Sequence, residues 1–284
     1  MKQDANGPWI LLGELYSDKH LNGESREDLV RETKEKLYAY VWTRMRRYGE
    51  VRPPFIENPE KSHFVKAQGV QRIVSSDIEG YGYLLRENDH FIIVTKKGLG
   101  EIKKRTVIAH ELGHTFFLNS NSKSSNFYYG WGSSKNYWKF IEGPAFEIGR
   151  QILVPKQSLP LSVNQNVTIK SFIELRRKYK TSKNIMALRL IHDLRLWDVY
   201  LFFTRYDSSS GKITLPKNHE RFKGMSFKNF NLNKKWNLLA EILKKSIIVP
   251  GKSNSEEKKI GRNYYNIQSY SKTGTEIMCL IKSK

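Results

Sequence analysis

The sequence has almost no cysteine: Cys279 is the only one among 284 residues. One cysteine cannot form a disulfide within the chain, and the absence of disulfides is typical of the reducing cytoplasm. Apolar runs are also short, and none approaches the roughly 18 residues that a helix needs to cross a bilayer. Residues 1–18 have too short an apolar stretch and too few flanking charges for a signal peptide. These absences predict a cytoplasmic protein with no membrane partner.

Acidic residues are scarce, and unevenly so. The chain contains 28 Asp and Glu against 49 Lys and Arg, a formal net charge of +21. Residues 1–155 contain 19 acidic and 23 basic residues, whereas residues 156–284 contain 9 and 26, a net charge of +17 in the second part. A basic region of this size attracts polyanions, and nucleic acid is the usual one. The same composition also suits a solvated surface encoded by an AT-rich genome, and no recognition-helix signature indicates sequence-specific DNA reading.

The residues AHELGH, 109–114, form an HExxH pattern. His110 and His114 lie one helical turn apart on the same face, so that both imidazoles can reach one metal ion. Glu111 is rotated by about 100° around the helix and can take a proton from a water that the metal activates. A buried helix with two hydrogen-bonded histidines is the alternative. The apolar residues on both sides of the motif indicate a core helix and favour the metal site.

The motif lacks the third histidine of a metzincin site. Ser120 stands where that histidine would be, and Phe117 replaces the glycine that precedes it. A catalytic zinc usually has three protein ligands, and Glu142 is the best candidate for the third, at the start of a helical segment that Pro155 ends. Glu142 could instead only complement the positive end of its helix. Glu147, about 140° further around the helix, is the rival ligand.

Two segments resemble the ImmA/IrrE metallopeptidases. RTVIAHELGH, residues 105–114, is similar to the family's Arg-x-x-x-Ala-His-Glu-x-x-His helix. EGPAFEIGRQILVP, residues 142–155, is similar to its second helix, Glu-x-x-Ala-Asn-x-Phe-Ala-x-x-Leu-Leu-Met-Pro. A weaker similarity covers residues 171–191, where a serine precedes a helix that carries Arg-Leu. The resemblance implies that Glu142 is the third metal ligand.

The sequence also departs from the family pattern in the second segment. Phe146 stands where the family usually has Asn, Gly143-Pro144 replaces a charged pair, and Ile148-Gly149 replaces Phe-Ala. These changes affect the surroundings of the metal and the angle at which Glu142 is presented, so they bear on fine geometry and substrate preference.

The predicted fold class is α+β. The resemblance implies a zincin-like metallopeptidase domain of helices and a small sheet, followed by a helical pair, over residues 1–195. A small, basic, mixed α/β domain is expected over residues 196–284. The secondary structure predicted along the chain comprises helices at 25–49 and 230–249, hairpins at 80–98, 196–218 and 263–283, a loop at 119–141 that is a candidate rim or lid, and a mobile loop at 251–259.

These features predict a zinc-dependent endopeptidase with Glu111 as the catalytic residue. Mn²⁺ or another divalent ion suits a His₂Glu ligand set as well. The oxyanion-stabilising group is undecided among four candidates: Tyr128, Tyr129, Tyr137 and His192. The resemblance implies that the substrate is a regulatory protein, commonly a helix-turn-helix repressor of a mobile element or stress response. Two alternatives stay open: a metal-containing regulator that binds DNA or a partner protein without cleavage, and a protease of a phage-defence or toxin–antitoxin system.

Overall fold

The structure is a computed structural model that describes residues 24–88, 90–118, 141–215, 222–227, 230–260 and 263–283. The chain divides into two compact units. The first comprises Met1–Leu159 and Lys178–Ser182, and the second comprises Pro160–Arg177 and Lys183–Lys284. The residues of the predicted loop at 119–140 lie outside the described residues, as do residues 1–23.

The first unit contains helices and a three-stranded sheet. Its elements in chain order are α1 (Glu24–Arg47), α2 (His63–Ala67), β1 (Val70–Ser76), β2 (Gly82–Glu87), β3 (His90–Lys96), α3 (Glu101–Leu118) and α4 (Gly143–Leu153). The helix α1 ends as the sequence predicts, at a glycine with positive φ: Gly49 has φ +91°. The N–H groups of Gly49 and Glu50 donate to the carbonyls of Arg46 and Met45, which satisfies the last turn of the helix.

The sheet of the first unit has the order β1-β3-β2. The predicted hairpin is present as β2 and β3, which pair antiparallel and are joined at Asn88, with φ +53°. β1 pairs in parallel with β3, and the sequence did not indicate this strand. The helix α3 packs against β2 and β3, with Ile108 and Leu112 fully buried. The helix that carries the HExxH motif is therefore part of the core.

Arg105, five residues before His110, is an interior residue of the first unit. Only 2% of Arg105 is exposed, and its guanidinium donates a hydrogen bond to the carbonyl of Tyr179. Lys180 pairs with Glu57 beside it. These contacts attach the short segment Lys178–Ser182 to the rest of the first unit, from which it is separated in sequence by residues 160–177.

The second unit contains a short helical part and a larger sheet. Its remaining elements are α5 (Ile169–Tyr179), α6 (Lys183–Ala187), a π-helical turn (Leu188–Asp193), β4 (Tyr200–Asp207), β5 (Lys212–Thr214), α7 (Leu232–Ile248), β6 (Ser253–Ile260), β7 (Asn263–Ser271) and β8 (Glu276–Ser283). The strands form one antiparallel sheet with the order β5-β4-β8-β7-β6. α7 packs on this sheet, and Leu239, Leu243, Ile267 and Ile281 lie in the core between them.

Both hairpins predicted for the second part of the chain are present, as β4–β5 and β7–β8, and the predicted helix is α7. The prediction of a mobile loop at 251–259 was wrong. These residues form most of β6, an edge strand whose residues alternate between exposed and half-buried. Its charged side chains are compatible with a strand because only one of its edges is paired with another strand.

The structure confirms the α+β class, since helices and two separate sheets occur in the described residues. The chain passes from the first unit to the second after Leu159 and returns to the first unit only for Lys178–Ser182. The domain boundary between residues 195 and 196 stays a prediction. Among the helices of the described ranges, none combines the length and the apolar composition needed to cross a membrane.

Candidate metal centre

Two packed helices bring three potential metal ligands together. His110 and His114 lie on α3, and Glu142 lies at the residue that precedes α4. The Nε2 atoms of the two histidines are 3.2 Å apart. The carboxylate oxygens of Glu142 lie 3.2 Å from Nε2 of His110 and 3.3 Å from Nε2 of His114. The two imidazole nitrogens and the carboxylate thus form a compact triangle of groups, in which each histidine lies nearest to a different oxygen of Glu142.

The size of this triangle fits a metal ion. Zinc ligands at about 2.0–2.1 Å in a tetrahedral arrangement lie about 3.3–3.4 Å from each other. The observed separations of 3.2 to 3.3 Å match that spacing, and the residues offer two imidazole nitrogens and a carboxylate. No other group of at least three ligand side chains occurs in the described part of the chain. His110, His114 and Glu142 could therefore hold one metal ion.

The carboxylate of Glu142 is strongly biased toward its charged form. Burial alone would raise its pKa, but the hydrogen bonds and positive charge of the two histidines outweigh burial and lower the pKa to about 2. A carboxylate that stays ionised at neutral pH is suited to bind a divalent cation. The side chain is 16% exposed, so one side of the group remains accessible.

Glu111 lies beside the triangle, with a different environment. Only 5% of Glu111 is exposed, and burial raises its pKa to about 7, with a smaller contribution from the negative charge of Glu142. The positive charge of His110 opposes this rise. The carboxylate is directed toward β2, since a Cβ atom placed on Gly82 would lie 3.8 Å from Oε1 of Glu111. Glu111 is thus a buried carboxyl group near the triangle that exchanges its proton close to neutral pH.

Two glycines allow α3 and α4 to approach closely enough for the ligands to meet. A Cβ atom on Gly149 would lie 2.9 Å from the carbonyl oxygen of Ala109 and 3.1 Å from Cα of His110. A Cβ atom on Gly113 would lie 2.3 Å from the carbonyl oxygen of Ala145. Real Cβ atoms essentially never come within 3.0 Å of a backbone atom. The pair of glycines therefore sets the helix separation that brings Glu142 to the histidines.

Glu147, the rival ligand in the sequence, faces away from the histidines. Its side chain is 2% exposed and accepts a hydrogen bond from the hydroxyl of Tyr38 on α1. It also forms ion pairs with Lys34 and Arg150, each at 3.1 Å. Glu147 therefore links α1 to α4 and stabilises the position of the helix that follows Glu142. Neither Tyr38 nor Lys34 could be identified from a sequence pattern, because more than a hundred residues separate them from Glu147.

Phe146 and His110 are in direct contact. Their rings stack with centroids 3.9 Å apart and an angle of 28° between planes. Phe146 stands where the ImmA/IrrE pattern usually has Asn. At this position an aromatic ring therefore contacts the side chain of a candidate metal ligand. The Nδ1 atom of His110 is buried and has no hydrogen-bond partner in the described structure.

Of the four oxyanion candidates, Tyr128, Tyr129 and Tyr137 lie outside the described residues. His192 lies on the π-helical turn of the second unit.

Comparison with solved structures gives similarity at the level of the fold. No family model matches the sequence. No curated protein matches it either. The solved structure of a Mycobacterium tuberculosis transcriptional regulator is similar to this chain, with a TM-score of 0.53 over 91% of this chain and 93% of the regulator. The sequence identity is 12%, and at this level the similarity shows a shared fold alone.

Proposed function

We propose that the protein is a zincin-like, metal-dependent endopeptidase of the ImmA/IrrE type. One observation carries the proposal: His110, His114 and Glu142 form a triangle of metal-ion size, and a buried carboxyl group, Glu111, lies beside it. A structural metal site has no need of such a neighbour, whereas a hydrolytic site uses one to move the proton of the attacking water.

The chemistry follows from the residues. A divalent ion in this site supplies Lewis-acid activation of a water and of the scissile carbonyl. Glu111 accepts a proton from the attacking water and passes it to the nitrogen of the leaving amine. Its pKa of about 7 without metal suits a group that both takes and gives a proton near neutral pH. With an ion held by His110, His114 and Glu142, Glu111 would favour its ionised form, which is the form that accepts the proton.

The edge of the three-stranded sheet supplies a place for an extended substrate. β2 lies at the edge of the sheet and pairs only with β3 among the described strands. An extended peptide can add to such an edge through backbone hydrogen bonds. Since Gly82 at the start of β2 lies next to Glu111, a peptide on this edge passes the proposed base. We therefore expect the cleaved bond to lie in an extended or unfolded segment.

We propose that the substrate is a regulatory protein, specifically a helix-turn-helix repressor in a stress or mobile-element response, cleaved in the cytoplasm. The net charge of +17 in residues 156–284 supports this proposal, because a basic region is attracted to DNA on which a repressor is bound.

Co-expression tests cleavage. The protein is produced with a repressor-like protein encoded beside it, and the repressor is followed by mass spectrometry with and without chelator. We expect a single metal-dependent cut that is absent with Glu111→Gln, while that variant still binds zinc. A cut that persists undiminished with Glu111→Gln would remove the proposed role of Glu111. Zinc binding without cleavage of any neighbour would favour the alternative of a regulator that only binds.

Charge reversal tests the proposed proximity to DNA. Lys234, Lys252 and Lys282 are exposed in the second unit. Replacing all three by glutamate is expected to weaken binding to duplex DNA and to a repressor–DNA complex by more than about tenfold at low salt. Fluorescence anisotropy measures both affinities. If neither affinity changes, the role of the basic region in binding is wrong, whereas the peptidase proposal is unaffected.

A further inference from the structure

No hydrogen bond at Nδ1 fixes the orientation of the His110 ring in the described structure. Its Nε2 faces the other two ligands, at 3.2 Å from Nε2 of His114 and from the carboxylate of Glu142. A histidine that binds a metal through Nε2 carries its proton on Nδ1 and normally donates it to a carboxylate, a carbonyl or water, which sets the ring orientation. The Nδ1 of His110 is buried and has no such partner in the described structure. Another contact must orient this imidazole.

Phe146 makes that contact. Its ring lies nearly parallel to the imidazole, with centroids 3.9 Å apart and 28° between planes. Phe146 follows Glu142 by four residues, so both side chains lie on the same side of the helical segment. The same segment therefore provides one metal ligand and the ring that covers another. Phe146 is 36% exposed, so its ring is not a core residue on which folding of the unit depends.

We propose that Phe146 is a positioning residue for the metal: its stacked ring holds the His110 imidazole with Nε2 directed at the ion, in place of the hydrogen bond that Nδ1 lacks. The inference rests on the metal site of the proposed function, but not on peptide cleavage. An aliphatic side chain of similar size fills the space without constraining the imidazole plane. Metal affinity therefore depends on an aromatic ring at position 146.

The test compares four metal-free full-length proteins: the unchanged chain, Phe146→Leu, Phe146→Tyr and a control, Tyr264→Leu. Tyr264 is an exposed aromatic residue of β7 in the second unit. Zinc dissociation constants come from competition with a chromogenic chelator. Cobalt(II) absorption spectra report the ligand geometry, and chemical denaturation of the metal-free proteins checks folding.

Phe146→Leu is expected to weaken zinc binding by about 10- to 100-fold and to alter the cobalt(II) spectrum. Phe146→Tyr retains the ring and is expected to stay within about threefold of the unchanged chain, as is Tyr264→Leu. The inference is overturned if the constants of Phe146→Leu and Phe146→Tyr differ by less than about threefold. If the unchanged chain binds no divalent metal, the inference and the proposed function both fail. If it binds zinc and the ring dependence holds but no substrate is cleaved, only the proposed function fails.

Discussion

In metal-free protein at pH 8, Glu111→Gln is expected to increase the free energy of unfolding by about 3 kcal/mol. The folded state raises the pKa of Glu111 from 4.5 to about 7 because the group is buried. Between these two values the unfolded chain loses the proton while the folded chain keeps it, so the folded state loses about 1.4 kcal/mol of stability for each pH unit. This decrease in the free energy of unfolding is absent below pH 4.5 and complete above pH 7. Glutamine has nearly the same shape and no charge, so the free energy of unfolding of the variant does not show this decrease.

Denaturant unfolding of both proteins at pH 5 and pH 8, with chelator present, measures this effect. The advantage of the variant should grow from about 1 kcal/mol at pH 5 to about 3 kcal/mol at pH 8. Glu79→Gln, at an exposed position, is the control and should show no such growth. An advantage that is equal at both pH values, or a destabilised variant, contradicts the raised pKa. The stabilisation and the loss of cleavage would together mark Glu111 as a residue retained for chemistry at a cost in stability.

Glu147→Gln is expected to destabilise the protein by about 3–5 kcal/mol. The side chain of Glu147 is almost fully buried, and it pairs with Lys34 and Arg150, which are themselves only 17% and 14% exposed. Glutamine removes the charge that both cations face and leaves two largely buried positive charges without their anion. The penalty arises from those uncompensated charges more than from the lost attraction.

A glutamate on the surface of α1 provides the control for Glu147→Gln. Glu32 pairs with Lys36 on the surface of α1, with both side chains more than 60% exposed. Glu32→Gln is expected to leave the free energy of unfolding nearly unchanged, because solvent screens an exposed pair. Chemical denaturation of both variants in one buffer measures the difference. A cost below about 1 kcal/mol for Glu147→Gln would contradict the assignment of Glu147 to the joint between α1 and α4.

The part of the site that could be predicted is the part encoded locally. His110, Glu111 and His114 follow from helical spacing within five residues, and the structure places them on one helix. Glu142 was predicted as the third ligand from its position at the start of a helix and from a resemblance, because spacing alone did not exclude Glu147. What decides between the two glutamates is α1, which provides the partners of Glu147 from more than a hundred residues away. Such a contact is a property of the tertiary packing and has no signature in a short window of sequence.

The elements that were missed or misread have physical reasons too. The burial of β1 does not alternate regularly, so its pattern is weak until β3 provides a parallel partner. β6 contains Asn, Glu and Lys, which are depleted in strands, and its pairing with β7 outweighs that preference. The hairpins were predictable because turn residues mark them: Gly211 and Gly274 both have positive φ.

The measurement that tests the central claim most directly is the rate of repressor cleavage while zinc is added to metal-free protein. We predict no cleavage without metal, a rate that rises to a plateau at about one zinc ion per chain, and a rate lower by about 10²–10⁴-fold for Glu111→Gln at the same zinc content. Cleavage by the metal-free protein at the rate of the loaded protein, or an undiminished rate with Glu111→Gln, would contradict the claim.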